Sequence, residues 1–308
     1  MAGRSASARA TRAGSPARSA EDGTRQLLDG NMLVRTDALR PASAVFTHVV
    51  GLDSGYLLHG FSSGDSEFAV RLNDGGSPDQ AYAVGGILAV PRLAPAGEHG
   101  PFAADSARAV FSETILYSAT AESSAHRTLA LKRFDADGRP DPSFGVNGIT
   151  ELALSNLQAR ARSLALDGAN QVILVEKSFA GAQAGSLIRV GPARQLDASF
   201  GENGLARLDL DPTGEDELDC VVVLDDGYLV AGRNVRPYSE QVMAYRFTRH
   251  GQPDLSFGPG GRRVWPITAY VPVQAVATGR HYFFSTRVGD TVTLARIDAA
   301  TGELDASF

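Results

Sequence analysis

Few residues of this chain stand in arrangements that chemistry requires. GFSSG at 60–64 matches G-x-S-x-G, the turn that presents a nucleophilic serine where a strand feeds a helix. An apolar β-type run follows here instead, so Ser62 reads as a hairpin residue. DADGRPD at 135–141 is rich in side-chain oxygens, and Asp135 with Asp137 could hold one calcium ion. The corresponding strings NDGGSPD, GPARQLD, TRHGQPD and DAATGELD lose those oxygens and keep the turn, so turn chemistry explains the string better than a metal does. The six histidines, His48, His59, His99, His126, His250 and His281, show neither H-E-x-x-H nor H-x-H spacing. The single cysteine, Cys220, lies in the apolar run DCVVVL, where a buried inert thiol is expected and no internal disulfide can form. Glycoside hydrolysis would need two or three converging carboxylates, and the sequence does not show which acids would meet. No catalytic residue, metal or cofactor is therefore assigned.

The elements that must position these residues repeat. PDQAYAVGG, PDPSFGVNG, LDASFGENG, PDLSFGPGG and LDASF recur, with motif segments at 79–86, 141–148, 197–204, 254–261 and 305–308. Their aromatic residues, Tyr82, Phe144, Phe200, Phe257 and Phe308, are spaced by 62, 56, 57 and 51 residues. Similarity held at one phase over such a period marks a repeat architecture. Each motif is followed by a short strand-like run, such as ITELAL, LARLDL or RRVWPI. Two apolar runs divided by a tight turn come next, as in CVVVLDDGYLVAG, where Asp-Gly between β-formers signals a hairpin. A last run, such as SLIRV or VMAYRF, returns to the motif. The inner runs are apolar without alternation, the mark of a sheet covered on both faces. The post-motif run alternates, and it carries Pro266 in one copy, as an edge strand does. The expected fold is all-β: a β-propeller of five four-stranded antiparallel blades over residues 31–308.

Each motif position has a structural task. The glycines permit the turn, and the Asp and Ser side chains can bond nearby amides and fix it. The aromatic ring is expected to fill the wedge between blades. A second regularity accompanies the motif. Arg71, Arg133, Arg189, Arg246 and Arg296 precede Asp79, Asp141, Asp197, Asp254 and Asp305 by eight residues four times and by nine once. Each arginine is expected to bond the aspartate of its own motif or of the next blade.

The LDxSFGxxG motif, the upstream hairpin around Asp-Gly and the RL or RF before the turn together resemble the bacterial delta-60 repeat, a β-propeller-type repeat. The resemblance covers residues 44–308 in five copies; the first departs from it, with Ala81-Tyr82-Ala83 in place of Ser-Phe-Gly. It implies a propeller fold and no catalytic residues. Members are often parts of exported or surface proteins, so it also implies export.

Five blades leave hydrophobic faces bare unless the ends meet. NMLVRTD at 31–37 is expected to supply the missing strand of the last blade and close the ring. Residues 1–30, rich in Ala, Arg and Ser, read as a disordered tail with no apolar segment of a secretory signal. The chain has 308 residues, a formal charge of -6 and no apolar run long enough to span a membrane, and nucleic acid is not an expected partner. Connections of variable length fall on one end of the blades: 94–106, 119–126, 211–217 and 233–240. Such variation marks a binding face. Its candidate ligand-binding residues are Glu98, His99, Glu215, Asp216, Arg236 and Tyr238. Two functions fit. One is a noncatalytic binding or scaffold propeller for a protein or a glycan, which the even repetition favours. The other is a carbohydrate-active or other hydrolase with carboxylates in a central pocket.

Overall fold

A computed structural model describes residues 18–19, 25–28, 31–34, 45–62, 66–94, 98–117, 126–152, 159–168, 170–177, 185–208, 215–236 and 239–308. Strands β1 (Arg18–Ser19), β2 (Arg25–Leu28) and β3 (Asn31–Val34) form a small antiparallel sheet. Sheet I runs β4 (Val45–Gly51), β5 (Tyr56–Ser62), β6 (Ser66–Leu72) and β7 (Ile87–Ala89). Sheet II runs β8 (Glu98–Ala104), β9 (Arg108–Tyr117), β10 (His126–Asp135) and β11 (Ile149–Leu152). Sheet III holds β12 (Ala159–Asp167), β13 (Asn170–Lys177), β14 (Gly185–Val190) and β15 (Leu205–Arg207). Sheet IV holds β16 (Glu215–Val223), β17 (Gly227–Arg236), β18 (Ser239–Thr248) and β19 (Arg262–Thr268). Sheet V has three strands, β20 (Gln274–Thr278), β21 (His281–Val288) and β22 (Thr291–Asp298). The strands of sheets I, III, IV and V pair antiparallel, as do β10 and β11, and every sheet follows chain order, so sheets I–IV are four complete blades of the propeller type.

The chain forms two compact units. One comprises residues 1–95, 104–110 and 133–141, and the other residues 96–103, 111–132 and 142–308. In the second unit the first strands of sheets III, IV and V adjoin. Ser163 Oγ accepts from the Val221 amide at 3.1 Å, and Asp219 Oδ2 accepts from the Val273 amide at 2.8 Å. Between sheets III and IV lie Leu187, Phe200, Leu218, Tyr228, Val230 and Met243; between IV and V lie Leu229, Phe257, Trp265, Ile267, Phe284 and Ile297. Three first strands carry an extra residue at one place. The register slips between Phe46 and His48, Ala161 and Ser163, and Leu218 and Cys220, so Thr47, Arg162 and Asp219 are bulge residues. Pro266 occupies the outer strand β19 within a further register slip, where its missing N–H leaves no ladder position vacant.

The motif acts as a corner. Asp197 Oδ1 accepts from the Ser199 amide and hydroxyl at 3.0 and 2.6 Å, and Asp254 and Asp305 hold Ser256 and Ser307 in the same way. The five arginine Nε atoms lie 3.3, 2.7, 2.9, 3.3 and 2.7 Å from Asp79, Asp141, Asp197, Asp254 and Asp305, each within its own motif. The guanidinium also reaches onward to the next turn: Arg71 donates to the Ala136 carbonyl at 2.6 Å and Arg189 to the Arg249 carbonyl at 2.7 Å. Tyr82, Phe144, Phe200 and Phe257 are buried, whereas Phe308 is 55% exposed, with Arg296 over its ring at 4.9 Å. The turns that meet the rings need glycine. Gly138 and Gly251 have φ of 77° and 73°, and a Cβ there would come within 2.9 Å of Tyr82 and 2.8 Å of Phe200.

Tyr82 replaces the usual phenylalanine, and its hydroxyl is buried without a hydrogen-bond partner among the described residues. Burial pushes its ionisation well above the usual phenol range, with Arg71 opposing. A buried unsatisfied hydroxyl costs roughly 1–3 kcal/mol. Tyr82→Phe is therefore expected to stabilise the protein by about 1 kcal/mol in urea unfolding; a loss of stability would show that the hydroxyl is bonded in solution.

Three expectations compare with the structure as follows. First, the fifth sheet shows three strands among the described residues. Asn31–Val34 is a strand, and it pairs with Arg25–Leu28. The pairing is local in sequence: Leu28 lies opposite Asn31, and bringing together segments so close along the chain costs little entropy. Second, most of residues 1–30 lie outside the described residues, and those described, in β1 and β2, are strands. Third, the variable connections are shorter than expected. Strand β8 occupies 98–104, β16 begins at Glu215, and β17 and β18 run to Arg236 and from Ser239. Polar strings such as EHGPFAA lack strand propensity and are strands because a neighbouring ladder pairs them.

Candidate functional site

The loop-bearing end of sheet IV collects a group of charged side chains around Arg233. It is built from three adjacent strand ends. Register places Glu217 of β16 opposite Arg233 of β17, and Asn234 opposite Asp216. Glu240 at the start of β18 lies beside them. Arg233 is the hub: it donates to Glu217, to Glu240 Oε2 at 3.0 Å, and faces Asp219 Oδ2 at 3.5 Å. The Arg233 side chain is 10% exposed and that of Asp219 4%, while Glu217 and Glu240 keep 32% and 27%. Burial raises the Asp219 carboxyl above the ordinary carboxylate range, against the Val273 amide, Arg233 and Arg162, which pull it down. Burial and Asp219 also push the adjacent Cys220 thiol up to about 12, so it is no nucleophile at neutral pH.

Contacts to Asp216 keep these strands in place. Asp216 is buried and accepts from Asn234 Nδ2 at 2.7 Å, the Tyr245 hydroxyl at 3.0 Å and Arg262 at 3.1 Å. Burial, then Asp216, raises the Tyr245 hydroxyl far above the phenol range. A carboxylate with three donors is structural. The expectation of Asp216 as a ligand-contacting loop residue is thus corrected: it lies inside the blade because its strand starts earlier than the sequence indicated.

The other candidates fall as follows. Glu98 and His99 are half-buried on β8, not on a loop. Glu215 is the first residue of β16, with its side chain outside the described residues. Arg236 is half-buried and donates to Asn234 Oδ1 at 3.3 Å, which links it to Asp216 through Asn234. Tyr238 lies outside the described residues. The structure therefore brings together Asp216 and Arg236. The sequence reading missed Glu217, Asp219, Arg233 and Glu240. The available signal was the acid-rich string EDELD facing an arginine across a hairpin.

The other motifs resolve into turns. Asp135 Oδ1 accepts from the Asp137 and Arg139 amides at 2.9 and 2.8 Å, and Asp137 is paired with the Arg139 side chain. Ser62 ends β5 and donates to the Ser66 carbonyl at 3.4 Å. No helix among the described residues is long and apolar enough to cross a membrane.

No protein-family model matches the chain, and comparison with curated proteins yields no significant match. Solved structures similar to it include Drosophila Semaphorin 2a, at 8% identity and a TM-score of 0.42, covering 93% of this chain and 63% of that one. A post-proline cleaving enzyme from Rickettsia typhi matches at 10% identity and a TM-score of 0.43, covering 94% of this chain and 50% of that one. The chain spans less than two thirds of the length of either.

Proposed function

We propose that this chain is a binding or scaffold propeller of five blades, a member of the delta-60 repeat type, with sheet V as the fifth blade. It recognises a protein or a glycan at the blade ends that carry the variable connections. The observation that carries the reading is the Arg233 hub. Glu217 and Glu240 are held in place by a nearly buried guanidinium while staying partly open to solvent. Such preorganised carboxylates meet a ligand with little loss of side-chain entropy. Their chemistry suits lysine and arginine side chains or sugar hydroxyls. The alternative, a hydrolase acting through acids at the axis, gains no support from Asp219, whose carboxylate is engaged by a backbone amide and a guanidinium.

A glycan array and a panel of basic peptides test the proposal alongside a screen of nitrophenyl glycosides. Glu217→Gln with Glu240→Gln is expected to weaken the best ligand by at least about tenfold, which corresponds to ~1.4 kcal/mol, with the β fold retained by circular dichroism. Undiminished binding by the double variant would remove the face from the proposal. Glycoside turnover lost on changing an axial acid would favour the hydrolase.

A further inference from the structure

Sheet I carries a chain of side chains with the geometry of a nucleophile, a base and an orienting acid. Thr47 is the bulge residue of β4, and its side chain is thereby turned out of the regular alternation. Its Oγ1 lies 3.2 Å from Nδ1 of His59 on β5. On the far side of the same ring, His59 Nε2 lies 3.0 Å from Oε1 of Glu67 on β6. His59 and Glu67 are each 1% exposed, whereas Thr47 is exposed. Phe61 stacks edge-on against the imidazole at 5.0 Å and limits its rotation. A fourth group, His48, places Nδ1 3.0 Å from Thr47 Oγ1 and 3.4 Å from His59 Nδ1.

One proton arrangement makes these contacts a relay, with the Thr47 hydroxyl turned to the ring and not to the His59 carbonyl 3.4 Å away. A carboxylate on Glu67 accepts the Nε2–H of His59, which leaves the Nδ1 lone pair facing Thr47. The Thr47 hydroxyl donates to that lone pair, and Nδ1–H of His48 donates to Thr47 Oγ1. Burial and the neighbouring His59 lower the affinity of His48 for a proton, which favours the neutral donor. An accessible hydroxyl, a buried base and a buried acid in line are the parts of a covalent acyl-transfer relay, recognised by geometry and not by sequence position. Packing alone would not require a buried histidine to aim its Nδ1 at a solvent-facing hydroxyl.

We propose that Thr47, His59 and Glu67 form an acyl-transfer site for small carboxylic esters. Thr47 Oγ1 attacks the ester carbonyl carbon while its proton passes to His59 Nδ1, and Glu67 stabilises the imidazolium through Nε2–H. The tetrahedral adduct breaks its bond to the alcohol oxygen, which takes the proton from Nδ1 and leaves as the alcohol. Water then attacks the acyl-threonine with His59 as base, releasing the carboxylic acid and restoring Thr47. No oxidant or metal enters the balance. The site is independent of the recognition face and stands or falls separately from it.

The test uses the full chain and p-nitrophenyl acetate, read by the nitrophenolate burst, intact mass and peptide mapping. One acetyl group per chain, mapped to Thr47, is expected with a burst of equal amplitude. Thr47→Val should abolish both, and Thr47→Ser should retain them. Glu67→Gln should slow the burst by roughly 10²–10⁴-fold and shift its pH profile, an effect that loss of packing alone would not produce. The Thr47 variants change an exposed side chain, so their folding, checked by circular dichroism, keeps the test decisive if Glu67→Gln is unstable. Acetylation elsewhere, no burst, or a full burst from Thr47→Val would overturn the assignment.

Discussion

Phe200→Ala should destabilise the protein by about 3–5 kcal/mol, the usual cost of truncating a fully buried ring. Phe200 is completely excluded from solvent and is surrounded by parts that cannot follow it into a cavity. Tyr228 meets its ring edge-on at 5.6 Å, and the Arg189 guanidinium lies 4.7 Å from its centre. The backbone on either side is pinned: Gly201 donates to the His250 carbonyl at 2.7 Å, and Gly204 donates to the Phe200 carbonyl at 2.8 Å. Arg189 is itself bonded to Asp197, Tyr228 and the Arg249 carbonyl, so it stays in place when the ring is removed. Urea unfolding of Phe200→Ala should show the loss. Leu255→Ala, 72% exposed in a neighbouring motif, should remain within roughly 0.5 kcal/mol of wild type. Phe308→Ala should fall between them, because that ring is only partly covered. Equal effects at Phe200 and Leu255 would mean that the motif ring does not hold the blades together.

The motif was legible because several physical demands coincide in it. Gly145, Gly148, Gly201 and Gly204 all have positive φ, Asp and Ser close the turn, and an arginine at fixed distance reaches the aspartate. A pattern required at every level repeats visibly in the sequence. Strand ends were not legible, because Glu98-His99 and Glu215-Asp216 have no strand propensity and are held by pairing. The partner of the 31–34 strand was hidden for a different reason: a sequence can mark a strand without naming its neighbour. The site shows the sharpest limit. In EDELD four of the five residues are acids, and strict alternation would put Glu217 and Asp219 on one face and Asp216 on the other. The slip between Leu218 and Cys220 inserts Asp219 as an extra residue and breaks that parity. Asp216 consequently becomes a buried acceptor and Glu217 a rim residue, an outcome that one residue of register decides.

The second large effect is expected at Glu113 and Lys132, on adjacent strands β9 and β10. Their side chains are fully buried, with Nζ 3.1 Å from Oε2. Two charges removed from water lose solvation that their attraction only partly repays, so the pair adds little net stability over apolar residues of the same volume. Removing one partner is a different matter, since the other charge is left buried. Lys132→Met and Glu113→Leu should each cost about 3–5 kcal/mol, while the double variant should recover most of that loss. The coupling measured by the double-mutant cycle should therefore be several times that of an exposed pair, which is usually below about 1 kcal/mol. It should also change little between low and high salt, because solvent ions do not reach a buried pair. Additive single costs, or a coupling that salt removes, would place the two groups in contact with water. Sheet II would then be looser around Glu113 and Lys132 than the other blades, and the even repetition of the sequence would conceal one weak blade among the four complete ones.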